Sequence, residues 1–216
     1  SKFRLGYRDA SLSLDGYRVT FANRVFVDLD TPGQALVRQG YSQSESMQAE
    51  FWWDWSKRFK VTLAYRWVNA QSDYGDLSGY RQDPFVAQHR GFATLAYGSK
   101  PDDKGRQWRS DITFQVTGPQ RLPWTYENTY ENQRPAEAPT FVTGNVQISR
   151  DFAEGRQIYA GVENVTNYRQ VDPIIAGGGG LGQPLAADNP SFDASIVYAP
   201  IFGRNMYIGV RWALDR

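Results

Sequence analysis

The sequence predicts an all-β fold, an antiparallel transmembrane β-barrel. Apolar and polar residues alternate over many segments, which is the period of two that a strand requires. The clearest runs reach roughly the 9 to 11 residues that a tilted transmembrane strand needs, and large aromatic residues stand near their ends. Short turns also alternate with long connections along the chain, as they do on the two sides of outer-membrane barrels.

Composition and charge exclude several other classes of protein. The chain has 216 residues, a net charge of +1 and a mean hydropathy of −0.58, so nothing indicates binding to nucleic acid. No window approaches the roughly 18 apolar residues of a membrane-spanning helix. The chain has no cysteine, so it forms no disulfide and no thiolate metal site. Its first residues, SKFRLGYRDA, lack the pattern of a signal peptide, and we expect the chain to start after processing or within a larger protein.

The strongest strand signal is a hairpin between Ala49 and Trp67. Its second run alternates apolar with polar or small residues, with Phe59, Val61, Leu63, Tyr65 and Trp67 on one face and Lys60, Thr62, Ala64 and Arg66 on the other. Its first run places Met47, Ala49, Phe51, Trp53 and Trp55 opposite Gln48, Glu50 and Asp54. The two runs therefore predict paired strands with one apolar and one polar face.

The same alternation predicts strands elsewhere in the chain. We expect them at Phe3–Tyr7, Tyr17–Leu29, Ala35–Trp55, Gly91–Tyr97, Trp108–Val116, Val142–Phe152, Ile158–Glu163 and Met206–Trp212. The polar first half of Ala35–Trp55 predicts that this strand projects beyond a bilayer. With the strand from Phe59, these segments give about nine strands.

The connections between these strands fall into two groups. The short turns are Ser56–Arg58, Ser99–Arg106 and Ala153–Arg156, and the long connections are Asp73–Gln88, Pro119–Ala138 and Tyr168–Arg204. If the last strand descends towards the periplasm, every short turn lies on the periplasmic side and every long loop outside. This assignment requires Phe192–Ala199 (FDASIVYA) to be loop and not a spanning strand.

The last third of the chain resembles a known family. Tyr159–Tyr168 (YAGVENVTNY), followed by Gly203-Arg204 and by Tyr207–Trp212 (YIGVRW), resembles the end of TonB-dependent outer-membrane transporters. Phe192–Arg204 (FDASIVYAPIFGR) is similar to the form found in members with a carboxypeptidase-regulatory-like extension, including the starch-utilisation-type importers. The family usually ends on an aromatic residue, whereas this chain continues beyond Trp212.

The resemblance implies a function and a set of partners. It implies a bacterial outer-membrane barrel of about 22 strands with an N-terminal plug, of which residues 1–216 are the C-terminal portion without the plug. Such a protein imports a bulky nutrient with energy supplied through TonB. The implied partners are outer-membrane lipid, the plug and the remaining strands of the same polypeptide, the TonB complex and a surface lipoprotein. No cofactor is implied.

Two groups of residues are candidates for function. Aromatic, amide and guanidinium groups in the long loops are suited to sugar or peptide recognition, and the candidate ligand-binding residues are Tyr74, Tyr80, Arg81, Trp124, Tyr126 and Tyr130. Charged residues on the polar strand faces are expected to face the lumen or the plug, and these are Glu50, Arg66, Arg109, Asp111, Glu163 and Arg211. For the first group the alternative is that the loop aromatics pack only on one another, and for the second group it is direct contact with a ligand.

Other interpretations remain open on sequence alone. The single histidine, His89, is interpreted as a polar residue at the rim. Asp73, Asp76 and Asp83 lack the EF-hand spacing, so a solvated loop is favoured over a calcium site. A passive pore, or a structural barrel in a secretion assembly, is the alternative function. A soluble all-β binding domain is a third reading, and an enzyme is the least favoured because no nucleophile–base pair or metal cluster appears.

Overall fold

A computed structural model describes residues 2–6, 8–31, 34–75, 79–125, 133–152, 155–174 and 196–212. Within these ranges the chain is all-β, and its regular structure is antiparallel sheet. The described residues include no helix that is long and apolar enough to cross a membrane.

Twelve strands occur in the described residues. They are β1 (Lys2–Leu5), β2 (Arg8–Thr31), β3 (Gln34–Trp53), β4 (Phe59–Asp73), β5 (Tyr80–Gln82), β6 (His89–Gly98), β7 (Gln107–Thr117), β8 (Gln120–Arg121), β9 (Glu137–Ala138), β10 (Phe141–Asp151), β11 (Arg156–Glu163) and β12 (Asn205–Trp212). One large sheet runs in the order β1-β2-β3-β4-β6-β7-β10-β11-β12, with β5 added to β4, and β8 and β9 form a separate small ladder. The large sheet is thus a meander in which neighbours along the chain are neighbours in space.

Most predicted strands are confirmed, with differences at their ends. The predicted Tyr17–Leu29 strand begins nine residues earlier, at Arg8. The loop Asp73–Gln88 contains the short β5, and Pro119–Ala138 contains β8 and β9. Residues 196–199 form no strand, as predicted. Tyr7, Asp76 and residues 126–132, 153–154 and 192–195 lie outside the described residues.

The register of the large sheet places its apolar side chains on one face. Residues directly opposite each other in antiparallel strands point to the same side, and Leu63 stands opposite Phe51 in β3 and Ala93 in β6. Following the register across the sheet joins Leu12, Leu14, Ala49, Phe51, Val61, Leu63, Leu95, Ile112, Phe114, Val142, Val146, Ile148, Ile158, Ala160, Val162, Met206, Ile208 and Val210. We call this surface the apolar band.

The apolar band is exposed over much of its area. Leu14 is 70% exposed, Leu63 44%, Phe114 41% and Ile208 79%. Contiguous exposed apolar surface of this kind marks an interaction with another apolar phase or with a partner. The band therefore is not the core of a closed globular domain formed by the described residues.

Aromatic side chains border the apolar band at both ends. At the end with the short turns, which we call the turn end, the rings of Trp53, Trp55, Phe59 and Tyr97 form a chain with centroid separations of 6.2, 5.7 and 4.8 Å. At the opposite end, the loop end, Tyr65 Oη and His89 Nδ1 are 2.6 Å apart. The placement of His89 at this border agrees with its interpretation as a rim residue.

The long strands β2 and β3 continue beyond the loop end of the band. A register shift between Phe21 and Arg24 reverses which residues of β2 face each side, because a bulge adds a residue to one strand only. Phe21 and Val25 therefore lie on opposite faces. The prediction that the apolar residues of Tyr17–Leu29 share one face is wrong, since the alternation in the sequence spans this bulge.

In the last hairpin, formed by β11 and β12, two tyrosine rings lie over the glycines opposite them. Tyr159 stands opposite Gly209, and Tyr207 stands opposite Gly161. A Cβ added at Gly161 would lie 2.4 Å from the Tyr207 ring and 2.8 Å from the backbone oxygen of Val146. Each ring therefore occupies the space that a side chain on the facing glycine would need, an arrangement that fixes register between strands.

We expect Gly161→Ala to destabilise the full-length protein by about 1–3 kcal/mol, because the new methyl group overlaps a backbone oxygen as well as a ring. The midpoint of denaturant unfolding measures this loss. Gly91→Ala is the matched control, since its Cβ would meet no atom closer than 3.8 Å. Equal midpoints for both variants would contradict the packing described for the last hairpin.

Candidate functional site

The predicted lumen-facing residues all lie on one face of the large sheet, opposite the apolar band. The register places Glu50 beside Ala64, Arg66 beside Arg90 and Asp111 beside both Ala96 and Gln147. The same face carries Arg109, Glu163 and Arg211, which stand opposite Ser149, Asn205 and Gln157. We call this surface the polar face. These six residues therefore share one face of the sheet, and their role towards a lumen or plug stays a prediction.

The polar face contains direct contacts between side chains of neighbouring strands. Arg109 Nε lies 2.6 Å from Asp151 Oδ2, and the hydroxyls of Thr94 and Thr113 are 3.0 Å apart. Tyr207 donates a hydrogen bond of 2.9 Å to Gln147 Oε1. Hydroxyl, amide and charged groups therefore line this face, as expected of a surface in contact with water or with another polar surface.

At the loop end, β2 and β3 extend beyond the apolar band. The long connections fold over the polar side of these two strands and meet at Asp30. The Asp30 carboxylate accepts hydrogen bonds from Arg81 at 2.9 Å and from Arg121 at 2.7 Å. The backbone N–H of Trp124 donates a third at 3.1 Å. The Asp30 side chain is only 5% exposed, so these bonds compensate for its removal from water. We call Asp30, Tyr74, Arg81, Arg121 and Trp124 the loop cluster.

Aromatic rings complete the loop cluster. The Arg81 guanidinium lies 3.8 Å from the centroid of the Tyr74 ring and 4.5 Å from that of Trp124. Arg121 donates a hydrogen bond of 3.1 Å to Tyr74 Oη. Burial raises the pKa of the Tyr74 phenol, although the nearby Arg121 opposes this shift. The phenol therefore stays neutral at physiological pH and can accept this hydrogen bond.

Two further ion pairs fasten the cluster to the extended strands. Arg38 Nε pairs with Asp28 Oδ2 at 2.5 Å, and Arg38 also donates to the Tyr74 backbone oxygen. Arg24 pairs with Asp83 at 2.5 Å, and the Ser72 hydroxyl donates to the other Asp83 oxygen at 2.7 Å. The Asp83 carboxylate is thus engaged by protein groups.

The predicted ligand-binding residues of the long loops differ in position and exposure where the structure describes them. Tyr74, Arg81 and Trp124 come together, but Tyr74 is only 2% exposed, so its side chain contributes packing within the cluster. Tyr80 is 46% exposed and makes an edge contact with Tyr41 at 6.1 Å. Tyr126 and Tyr130 lie outside the described residues. Ligand binding by any of these residues stays a prediction.

The third long connection is held by Gln170. Its buried side chain donates to the Ile196 backbone oxygen at 3.0 Å and accepts from the Tyr198 backbone N–H at 2.9 Å. Gln120 Nε2 donates to the Tyr198 backbone oxygen at 3.2 Å, which links this connection to the second one. Burial, with a hydrogen bond to Tyr168, raises the pKa of Tyr198 to about 12.

Asn164 forms a corner that the sequence did not identify as structural. Its φ angle is 50°, in the left-handed region that asparagine tolerates better than most residues. Asn164 Nδ2 donates to the backbone oxygens of Tyr168 at 2.8 Å and of Phe202 at 3.2 Å. Thr166 donates to the Val142 backbone oxygen at 2.8 Å. The VENVTNY motif therefore ties β10 and β11 to the chain that enters β12.

Sequence reasoning missed Asp28, Asp30 and Arg121 as members of a shared site. The first two alternate with Val27 and Leu29 inside a strand, where they read as an ordinary wet face. Arg121 is separated from Asp30 by 91 positions. The available signal in the sequence was an acidic residue at every second position next to a turn. This signal did not identify the basic residues that pair with it.

Comparison with known proteins gave no relative: neither a protein-family model nor a curated protein matches the chain.

We expect Asp30→Asn to destabilise the loop cluster by about 3–5 kcal/mol, because two largely buried guanidinium groups lose their shared counterion. The Phe85 N–H donates to the Arg121 backbone oxygen at 2.9 Å. Hydrogen exchange of the Trp124 and Phe85 amides in the full-length protein therefore measures the local loss. Asp9→Asn is the control, since the Arg4–Asp9 pair is exposed by 77% and 69% and should contribute at most about 1 kcal/mol. Equal effects of the two substitutions would show that Asp30 does not hold the cluster.

Proposed function

We propose that this chain forms part of the wall of a bacterial outer-membrane β-barrel, a receptor that imports a bulky nutrient through a plugged lumen with energy supplied by TonB. The observation that carries the proposal is the apolar band, bordered by aromatic residues and backed by a polar face. The resemblance of the YAGVENVTNY and YIGVRW segments supports the transporter class.

The dimensions of the apolar band suit a bilayer. In β4 the band extends from Phe59 to Trp67, nine residues, which agrees with the roughly 9 to 11 residues of a tilted transmembrane strand. Beyond Trp67 the same face of β4 continues with Asn69 and Gln71. The apolar surface therefore ends where headgroups would begin.

The aromatic borders fit the two interfaces of a bilayer. Tyrosine and tryptophan concentrate at headgroup level, because they combine an apolar ring with a polar group. At the turn end, Arg150 lies 5.0 Å from the Trp108 ring and Arg156 lies 4.5 Å from the Trp212 ring. Long basic side chains beside interfacial tryptophans can reach lipid phosphates from this position.

The two ends of the sheet support the inference that more strands belong to the proposed barrel. Among the described residues, β12 pairs only with β11, and the sheet ends at β1 and β2 on the other side. Unpaired backbone groups cannot be satisfied in hydrocarbon. In the proposed barrel, strands from the rest of the polypeptide pair with both edges.

The proposed barrel places the polar face towards the lumen and the plug. The loop cluster then lies over the outer mouth, because the long connections fold over the polar side of the extended strands. Because the ion pairs of the loop cluster are buried, they hold the long connections in one defined geometry. A cargo or a surface lipoprotein would meet the outer surface of these loops, where Tyr80 is exposed.

We expect Leu63→Arg and Phe114→Arg to impair assembly, because an arginine in the lipid midplane costs about 2–4 kcal/mol. Heat-modifiable migration of the full-length protein, extracted from outer membranes, measures assembly. Thr62→Arg and Thr113→Arg are the controls, one residue away on the polar face. If all four variants assembled equally well, the band would not face lipid.

The direction of the strands can be tested with single cysteines, since this chain contains none. A membrane-impermeant thiol reagent should label Glu137→Cys and Val171→Cys at the loop end on intact cells. Lys57→Cys and Lys104→Cys at the turn end should react only after the outer membrane is permeabilised. The opposite labelling pattern would reverse the proposed topology.

A further inference from the structure

We propose that Arg66 and Arg90 form a binding site for the carboxylate of a small solute on the polar face. The inference goes beyond the proposed function, because it assigns a ligand class to a defined position. It also stands independently of a membrane location, since it needs only the sheet and its register.

Two guanidinium groups stand side by side at this position. Arg66 in β4 and Arg90 in β6 are directly opposite each other, and such pairs have Cβ atoms about 4.5–5.5 Å apart. Like charges in this position destabilise a sheet. The protein therefore carries a local cost here that an anion bound between the two groups would remove.

Neither arginine is neutralised within the part of the chain that the structure describes. The ion pairs of the polar face involve Arg109 with Asp151 and Lys60 with Asp54, whereas Arg66 and Arg90 have no acidic partner. Arg90 Nε is also inaccessible to solvent and makes no hydrogen bond. A buried donor without an acceptor costs about 1–3 kcal/mol, so this position carries a polar cost in addition to the repulsion between the two charges.

The surroundings suit a planar anion with an apolar body. Gln48 continues the row of Arg66 and Arg90, and Gln115 lies on the next strand, so two amides flank the guanidinium groups. These residues line a shallow cavity of about 210 Å³ that also contains Phe92. Phe92 is an apolar residue on the polar face and is 41% exposed. A carboxylate can bind the planar guanidinium groups while its attached ring or chain packs on Phe92.

An acidic side chain of the protein is the competing occupant. Glu50 lies one row away, diagonal to Arg66, and acidic residues elsewhere in the polypeptide could also approach this face. A protein carboxylate would make the arginines stabilising in the absence of any solute. A solute site instead makes them destabilising until the solute binds, and this difference in sign separates the two cases.

The test uses the purified full-length protein with benzoate as the probe, and with chloride at equal ionic strength as the reference. We expect wild-type protein to bind benzoate saturably in isothermal titration. Arg66→Gln and Arg90→Gln should each weaken binding at least about tenfold, because each removes one charge-assisted contact. Arg90→Lys keeps the charge but loses the planar fork, so it should weaken binding less than Arg90→Gln.

Control variants fix the interpretation. Arg58→Gln removes a cation at the turn end and should leave benzoate affinity unchanged, whereas Glu50→Gln removes a competing carboxylate and should increase it. Without benzoate, Arg66→Gln should raise the thermal midpoint. Absence of saturable benzoate binding would overturn the proposal. A lower midpoint for Arg66→Gln, with or without benzoate, would assign the arginines to a carboxylate of the protein.

Discussion

The register between consecutive strands is the constraint on which the rest of this sheet depends. Side chains alternate with a period of two, so a slip of one residue would exchange the two faces of a strand completely. Leu63 lies between Phe51 and Ala93, while its neighbour Thr62 lies between Trp52 and Thr94. The separation of an apolar band from a polar face is therefore a property of the whole ladder. The crossed tyrosine and glycine pairs of the last hairpin hold this register in two strands of only 8 residues each.

A different interaction organises the loop end. Asp30 is buried and joins two connections that lie far from it in the chain, through Arg81 and Arg121. A buried ion pair contributes little net stability, but its geometry is demanding, since each charge must meet its partner to offset desolvation. The long strands β2 and β3 supply the fixed surface on which this geometry is built. Their extension beyond the apolar band thus has a structural purpose that its polar composition alone did not reveal.

Much of the fold could be predicted from the sequence, because a strand with one apolar and one polar face produces a regular alternation of apolar and polar residues. The alternation around Leu63 and Phe114 predicted both the strands and their faces. The bulge after Phe21 could not be predicted, because one added residue reverses the faces without disturbing the pattern of apolar residues. The loop cluster could not be predicted from the sequence either, since the partners of Asp30 are set by tertiary folding. The pairing of the two arginines could be recognised only from the strand register, which places Arg66 beside Arg90 although 24 positions separate them.

The meander also sets an order of events during folding. Only about 5 residues separate β3 from β4, whereas about 41 separate β11 from β12. The entropy of loop closure grows as (3/2)RT ln n, so closing the longer connection costs roughly 2 kcal/mol more. Hairpins across the turn end can therefore form early and locally, each with its own apolar side. The connection from β2 to β3 at the loop end is also short, because β2 ends at Thr31 and β3 begins at Gln34. The pairing that loop closure delays most is therefore that of β12 with β11.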